Sequence, residues 1–132
     1  AVNVYVPDTS YTRIRKTTPD GVVTTLAGSG QAGDADGTGS GASFREPTGL
    51  AVDVEGNLYV ADTVNCLIRR ITPAGVVSTL AGQFGVLGSK DGIGAAATFA
   101  QPAGLAVDVG GTVYVADSGG NVIRKITPVP PR

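Results

Sequence analysis

Short runs of apolar and β-branched residues alternate with clusters of glycine, proline and aspartate along the chain. Valine, isoleucine, tyrosine and threonine favour strands, and the clusters between them favour tight turns. No window shows the sustained spacing of apolar residues that indicates an amphipathic helix. In the middle of the chain the pattern predicts four short strands, which we call a to d: Gly49–Asp53, Asn57–Asp62, Leu67–Thr72 and Val76–Gly82.

The strand pattern occurs three times. A Tyr-Val-x-Asp segment begins at Tyr5, Tyr59 and Tyr114, so that successive copies follow one another at nearly equal spacing. Each copy continues to an isoleucine followed by two basic residues and then to a Thr-Pro pair. The one-residue difference in period falls between Gly82 and Asp91. A four-stranded sheet of this size buries too little surface alone, so the repeats are expected to stack on one another.

Radial stacking of such sheets gives a β-propeller. We therefore predict an all-β protein, one partial propeller over residues 1–132 with four-stranded antiparallel blades. The first copy lacks strand a and the third lacks strand d, which leaves ten strands, or about two and a half blades. The three predicted blades lie at about 1–28, 47–82 and 102–128. The two connecting loops lie at about 29–46 and 83–101.

Several strings in these copies resemble the NHL repeat family. They are Pro-x-Gly-Leu-Ala-Val-Asp at 47–53 and 102–108, Asp-Gly-x-Gly-x-x-Ala-x-Phe at 36–44 and 91–99, and Ile-Arg-Lys-Ile-Thr-Pro at 123–128. The resemblance implies a six-bladed propeller used as a binding platform, in extracellular, envelope-associated or regulatory proteins. Under half of that ring is present here. We expect a homodimer, or sequence outside this chain, to complete the six blades, and an extracellular or envelope-associated location is favoured.

Composition narrows the chemistry. The chain has no histidine, which removes histidine-based catalytic triads and metal sites. Its net charge of -1 and a pI of about 5.2 argue against nucleic-acid binding, for which a strongly basic surface is typical. The single cysteine, Cys66, forms no internal disulfide. No apolar run approaches the length of a membrane span, so membrane insertion is not expected.

Turns alternate sides in a meander, so the b-to-c turns and the long d-to-a loops should emerge on one face. This face, which we call the long-loop face, carries most of the variable loop material, and binding residues concentrate on such loops. The candidate binding residues on it are Tyr11, Asp34, Asp36, Asn65, Lys90, Asp91 and Asn121. The a-to-b turns, such as Asp53–Gly56, lie on the opposite face.

Other recurring residues are expected to be structural. The aspartate that ends strand b is predicted to bond backbone amides or to pair with the arginine of strand c, which gives the pairs Asp8/Arg15, Asp62/Arg69 and Asp117/Arg124. The equivalent Tyr5, Tyr59 and Tyr114 are predicted to pack between blades. Phe44 and Phe99 are predicted to anchor the long loops.

Asp34 and Asp36 form a pair of carboxylates that a hard cation could use, but the further ligands of a calcium loop are missing. No metal and no cofactor are predicted. The sequence favours a non-catalytic binding module that recognises a protein or a glycan. Two alternatives are a fragment of a six-bladed enzyme of the lyase or lactonase type, and a repeat protein whose function is self-assembly.

Overall fold

The computed structural model describes residues 2–10 and 12–128, and it consists of strands, turns and two single-turn 3-10 helices at Gly39–Gly41 and Gly94–Ala96. The all-β class predicted from the sequence is confirmed. Tyr11 lies outside the described residues. The strands are β1 (Val4–Asp8), β2 (Arg13–Thr17), β3 (Val23–Ala27), β4 (Gly37–Thr38), β5 (Pro47–Val52), β6 (Leu58–Asp62), β7 (Leu67–Ile71), β8 (Val76–Gly82), β9 (Pro102–Val107), β10 (Val113–Asp117) and β11 (Val122–Ile126).

The strands form three antiparallel sheets. Blade 1 has the order β1-β2-β3, blade 2 the order β4-β8-β7-β6-β5, and blade 3 the order β11-β10-β9. Every one of the ten predicted strands has a counterpart, but the two-residue β4 was not predicted. It belongs to the loop at 29–46 and pairs with the outer edge of β8, with Gly37 opposite Val77 and Thr38 opposite Val76. A strand this short has no alternating pattern by which sequence could reveal it.

Two hydrophobic clusters hold the blades together. The cluster between blades 1 and 2 includes Phe44 from the loop at 29–46, and the cluster between blades 2 and 3 includes Phe99 from the loop at 83–101. Both phenylalanine side chains are buried. Each long loop therefore contributes an aromatic residue to the core between the blades that it connects, and burial of such a ring is a major apolar contribution to packing.

The three equivalent tyrosines differ in burial. Tyr59 packs in the cluster between blades 2 and 3, and Tyr5 is half-buried against the cluster between blades 1 and 2. Tyr114 is 39% exposed, because no further blade packs on that face of blade 3 within the described residues. The neighbouring blade therefore determines whether this tyrosine is covered.

The inner strands of blades 2 and 3 lie side by side. Gly49 on β5 approaches β9 so closely that a Cβ atom at this position would overlap the carbonyl oxygen of Ala103. The spacing of the two blades at this point therefore requires a residue without a side chain. None of the helices in the described part of the chain is long or apolar enough to cross a membrane.

Candidate functional site

A buried arginine connects the long loop to blade 2. The Arg69 guanidinium, which is completely buried, donates through one nitrogen to Asp62 Oδ2 at 2.9 Å and to the Ser43 carbonyl oxygen at 2.8 Å. Its other terminal nitrogen donates to Asp36 Oδ1 and to the Ala35 carbonyl oxygen, both at 2.8 Å. Strand β7 thus holds three residues of the loop at 29–46 through one side chain. The attachment is strong because its hydrogen bonds come from a charged donor.

Asp62 is equally enclosed. Its carboxylate accepts hydrogen bonds from the Arg45 backbone N–H at 2.8 Å and from the Asn65 amide at 2.7 Å, in addition to the bond from Arg69. Burial raises the pKa of Asp62, although these hydrogen bonds and the Arg69 charge oppose that effect. The Phe44 ring centroid lies 4.9 Å from the Arg69 guanidinium carbon, which adds a cation–π contact.

Blade 3 repeats this arrangement. Arg124 donates to Asp91 Oδ1 and to the carbonyl oxygens of Thr98 and Lys90, each at 2.9 Å, and its guanidinium lies 3.7 Å from Asp117. The Phe99 ring centroid is again 4.9 Å from the guanidinium carbon. Asp117 also accepts hydrogen bonds from the backbone of the loop at 83–101.

Blade 1 has only half of the arrangement. Arg15 lies 3.6 Å from Asp8, and both side chains are about one third exposed. In the described part of the chain no loop carboxylate reaches Arg15. The arginine therefore has two kinds of aspartate partner. One ends strand b of the same blade and is present in all three blades. The other lies in the long loop that precedes the blade and is present for blades 2 and 3.

The structure changes the interpretation of three candidate binding residues. Asp36 and Asp91 attach their loops to Arg69 and Arg124, and Asn65 is completely buried, where it donates to Asp62 and to the Gly33 carbonyl oxygen. Asn65 is therefore closed to a ligand, whereas the Asp36 and Asp91 side chains hold their loops and remain 50% and 96% exposed. The side chains of Asp34, Lys90 and Asn121 are exposed.

A cleft opens between blades 2 and 3 on the long-loop face. Its volume is about 340 Å³, and it is bordered by the b-to-c turns of both blades and by the loop at 83–101. The lining residues are Thr63, Val64, Cys66, Leu87, Ala100, Gln101 and Gly119. The sequence analysis named only Cys66 among these residues, and it considered Cys66 only for disulfide formation.

Exposed apolar side chains occur at this cleft and in the loop that borders it. Leu87 is 71% exposed and Val64 is 41% exposed, and Phe84 and Val86 of the same loop are also exposed. The corresponding stretch of the first loop, from Ser29 to Ala32, is one residue shorter, and Ala32 is its one apolar residue. The sequence contained a signal for this difference, because the one extra residue of the second period lies in this loop, between Gly82 and Asp91.

The thiol at the bottom of the cleft is protected. Cys66 is free and buried, and its Sγ lies 3.7 Å from the Ala100 carbonyl oxygen. Burial raises the pKa of this thiol, and the nearby Asp117 and Asp62 act in the same direction. A nucleophilic cysteine needs the opposite environment, one that stabilises the thiolate.

The acidic side chains and Cys66 form no metal site among the described residues. Within residues 2–10 and 12–128, no group of three or more histidine, cysteine, aspartate and glutamate side chains is arranged to hold an ion. Asp34 and Asp36, separated by Ala35 in the loop, differ in their contacts because the carboxylate of Asp36 accepts a hydrogen bond from Arg69.

Comparison with known proteins agrees with the repeat analysis. The family model for the NHL repeat matches residues 44–71 and 99–126. The chain is 38% identical over 95 residues to the Arabidopsis thaliana protein SUPPRESSOR OF QUENCHING 1, chloroplastic, which covers 71% of this chain and 9% of that protein. It is 39% identical over 89 residues to NHL repeat-containing protein 2 of Bos taurus, covering 66% of this chain and 12% of that protein. The chain thus spans about a tenth of these relatives.

Solved structures resemble the chain along nearly its whole length. A Bacteroides thetaiotaomicron protein of unknown function is 36% identical with a TM-score of 0.86, over 93% of this chain and 32% of that one. An auxiliary nutrient binding protein of the same organism is 24% identical with a TM-score of 0.81, over 93% and 34%. Virginiamycin B lyase of Staphylococcus aureus is 17% identical with a TM-score of 0.65, over 95% and 34%. The last two likenesses show the fold alone.

The family match, the curated relatives and the blades point to one assignment. Each matched segment begins at the loop phenylalanine and ends in strand c, and so contains the aspartate and the arginine of one blade. The chain belongs to the NHL-repeat proteins and forms a partial β-propeller.

Proposed function

We propose that the chain is a non-catalytic binding module whose ligand contacts the cleft between blades 2 and 3 on the long-loop face. The observation that carries this proposal is the exposed apolar loop beside the cleft. Leu87 is 71% exposed, and Phe84 three residues earlier is 55% exposed. Large exposed apolar side chains grouped in one loop favour an interaction site.

The chemistry of the face favours a protein over a glycan as ligand. Aliphatic side chains such as Val64 and Leu87 provide apolar area without hydrogen-bonding groups. A glycan would need a polar, aromatic platform, and in this loop, which is described throughout, Phe84 is the one exposed aromatic residue. The auxiliary nutrient binding protein of similar fold is 24% identical to this chain, so it speaks for the architecture and gives no ligand for this chain.

The enzymatic alternative has weaker support. The lyase of similar fold is 17% identical to this chain, so it speaks for the architecture and not for a shared reaction. Asp36, Asp62, Asp91 and Asp117 are bound to the two buried arginines, and Asp34 is exposed in the loop at 29–46. A carboxylate held in this way is poorly placed to transfer a proton to a substrate.

The test uses a pair of variants on opposite faces. The double variant Phe84→Ser/Leu87→Ser removes apolar area beside the cleft, and Val54→Ser/Val109→Ser removes comparable exposed residues from the a-to-b turns. Immobilised chain is used to capture proteins, and a glycan array is probed in parallel. We expect a captured protein that the first variant loses at least tenfold and the second retains. Loss in the second variant alone, or glycan binding that neither variant changes, would overturn the proposal.

A further inference from the structure

Blades 2 and 3 differ in one residue of the b-to-c turn. When the copies are aligned by the aspartate that ends strand b, Asn65 of blade 2 corresponds to Gly120 of blade 3. The Asn65 side chain is completely buried, whereas Gly120 is half-exposed. Blade 3 therefore lacks a buried amide that blade 2 contains.

In blade 2 the Asn65 amide joins the blade to its long loop. Its Nδ2 atom donates to Asp62 Oδ2 and to the Gly33 carbonyl oxygen, both at 2.7 Å. The Oδ1 atom of the same amide is buried and has no hydrogen-bond partner in the described part of the chain. The two acceptors thus use only the nitrogen and its two hydrogens.

Both acceptors have counterparts in blade 3. Asp117 ends strand b there, as Asp62 does in blade 2. Gly88 corresponds to Gly33, because each of these glycines donates its N–H to the carbonyl oxygen of the phenylalanine in its own loop, at 3.1 Å in the first loop and 3.2 Å in the second. In the part of the chain that the structure describes, no donor reaches the Gly88 carbonyl oxygen.

The Asp117 carboxylate is paired less completely than that of Asp62. It is inaccessible to solvent, and its hydrogen bonds come from two backbone N–H groups of the second long loop. The Arg124 guanidinium lies 3.7 Å away, beyond ordinary hydrogen-bond distance, whereas Arg69 lies 2.9 Å from Asp62. Since a buried carboxylate is stabilised by each donor it gains, Asp117 and the Gly88 carbonyl form a pair of acceptors that lacks the donor found in blade 2.

The atom nearest to the place of the missing amide belongs to an exposed side chain. A Cβ atom built on Gly120 would lie 2.8 Å from Ser89 Oγ and 3.7 Å from Asp117 Oδ2. Ser89 is exposed, and among the described residues no hydrogen bond holds its hydroxyl. A change of its χ1 angle to another staggered rotamer moves the hydroxyl away, so a nitrogen that enters from solvent can reach the two acceptors.

We propose that blade 3 binds, in place of the missing amide, a nitrogen that carries at least two hydrogens and donates them to Asp117 Oδ2 and to the Gly88 carbonyl oxygen. A primary ammonium group and a primary carboxamide share this chemistry. The position adjoins the cleft, because Leu87 and Gly119 line the cleft and directly precede Gly88 and Gly120. In a protein bound at the cleft, a lysine, asparagine or glutamine side chain supplies the nitrogen, and this last step rests on the proposed function.

The test adds small probes to the isotope-labelled full chain and follows the backbone amide signals by NMR. Methylammonium and acetamide carry the required hydrogens, and tetramethylammonium and N,N-dimethylacetamide are their matched controls without them. We expect the signals of Gly88, Asp117 and Gly120 to shift in a saturable way with methylammonium, acetamide or both, at least about threefold more than with the matching control at the same concentration. A response to only one of the two probes supports the site and shows whether it takes the cation or the amide.

Two variants place the site. Gly120→Asn supplies the amide from the chain itself, so it should abolish the response, whereas Gly41→Asn makes the same substitution where a Cβ meets open space and should leave the response unchanged. No saturable shift with either probe, equal shifts with the methylated controls, or a full response in Gly120→Asn would refute the proposal. The comparison of probes and controls on the parent chain stands even where Gly120→Asn does not fold. Because no partner protein enters this experiment, its failure and the failure of the proposed function are observed separately.

Discussion

Arg69 and Asp62 form an ion pair of 2.9 Å in which both side chains are completely inaccessible to solvent. The pair recurs in the other blades with greater separation and exposure, at 3.7 Å in blade 3 and 3.6 Å in blade 1. The same two residue types at the same repeat position therefore experience three environments. In the described part of the chain, Arg15 has no loop carboxylate beside it, and blade 3 has no strand outside β11.

Removing the buried cation should be costly. Arg69→Met would leave Asp62 buried beside Phe44 without a positive partner, and we expect the free energy of unfolding to fall by about 3–5 kcal/mol. Arg15→Met is the matched control, because its pair with Asp8 is partly exposed and should contribute less than about 1 kcal/mol. Urea denaturation followed by circular dichroism gives both values. An equal loss of unfolding free energy in the two variants would contradict the view that burial makes the Arg69–Asp62 pair more important than the Arg15–Asp8 pair.

The two aspartates of the first loop should respond differently. Asp36→Ala removes the bonds from Arg69 and from the Thr79 hydroxyl, so we expect a loss of about 1–2 kcal/mol in the free energy of unfolding. Asp34→Ala, at an exposed position, should change it by less than about 0.5 kcal/mol. The same denaturation experiment measures both. A larger loss at Asp34 would mean that the loop is held by contacts other than those to Arg69.

The contact between inner strands should not tolerate a methyl group. Gly49→Ala places a Cβ against the carbonyl of Ala103, and we expect at least about 2 kcal/mol of destabilisation from overpacking. Gly41→Ala meets open space in a conformation that permits a side chain, and it should be neutral or stabilise by up to about 1 kcal/mol. Thermal melting distinguishes them. An unchanged melting temperature for Gly49→Ala would show that the inner strands separate easily.

Cys66 should react slowly. Since burial raises the pKa of its thiol and limits access to the sulfur, we expect modification by a disulfide reagent to be at least about tenfold slower than in urea-unfolded chain. The raised pKa also means that the unfolded state ionises first. Stability from this group is therefore complete below about pH 9 and decreases as pH rises through the folded-state pKa. Cys66→Ser should lack this decrease, and an identical pH profile for both proteins would contradict the assignment.

The homodimer expected from the sequence also has a direct test. Tyr114 and Ile123 are exposed on the outer face of blade 3, as are Val4 and Val6 on blade 1. Apolar surfaces of this kind favour association, and a stable interface would bury more than about 1,200 Å². Light scattering after gel filtration should give twice the mass of one chain. A folded particle at the mass of a single chain in dilute solution would contradict self-association.

The sequence was sufficient for every strand except β4, because alternation and turn residues are local signals. It was not sufficient for the contacts of the loops. Asp36 was assigned to a ligand because its partner, Arg69, is 33 residues away, and proximity in sequence gives no hint of that contact. The same separation of 33 residues recurs between Asp91 and Arg124. A comparison of the copies for shared spacing could thus have identified the pair.

Phe84 and Leu87 were overlooked for a different reason. They occur in only one of the two loops, and a search for what the copies share passes over what distinguishes them. Asn65 was taken for an exposed turn residue, since asparagine is common in turns. Its burial depends on Gly33 and Asp62 surrounding it, which is a property of the assembled fold.

The attachment of each long loop to the blade that follows it bears on how such chains can be cut and recombined. A segment taken from Ser29 to Gly82 carries both an anchoring aspartate and the arginine that receives it, whereas one taken from Pro47 to Gln101 separates Arg69 from Asp36 and Asp91 from Arg124. A segment that keeps these contacts therefore consists of a long loop followed by the four strands a to d. A segment that begins at strand a and ends with the next loop does not keep them. Gene fusions that join blades just after the glycine ending the outer strand would transfer complete modules.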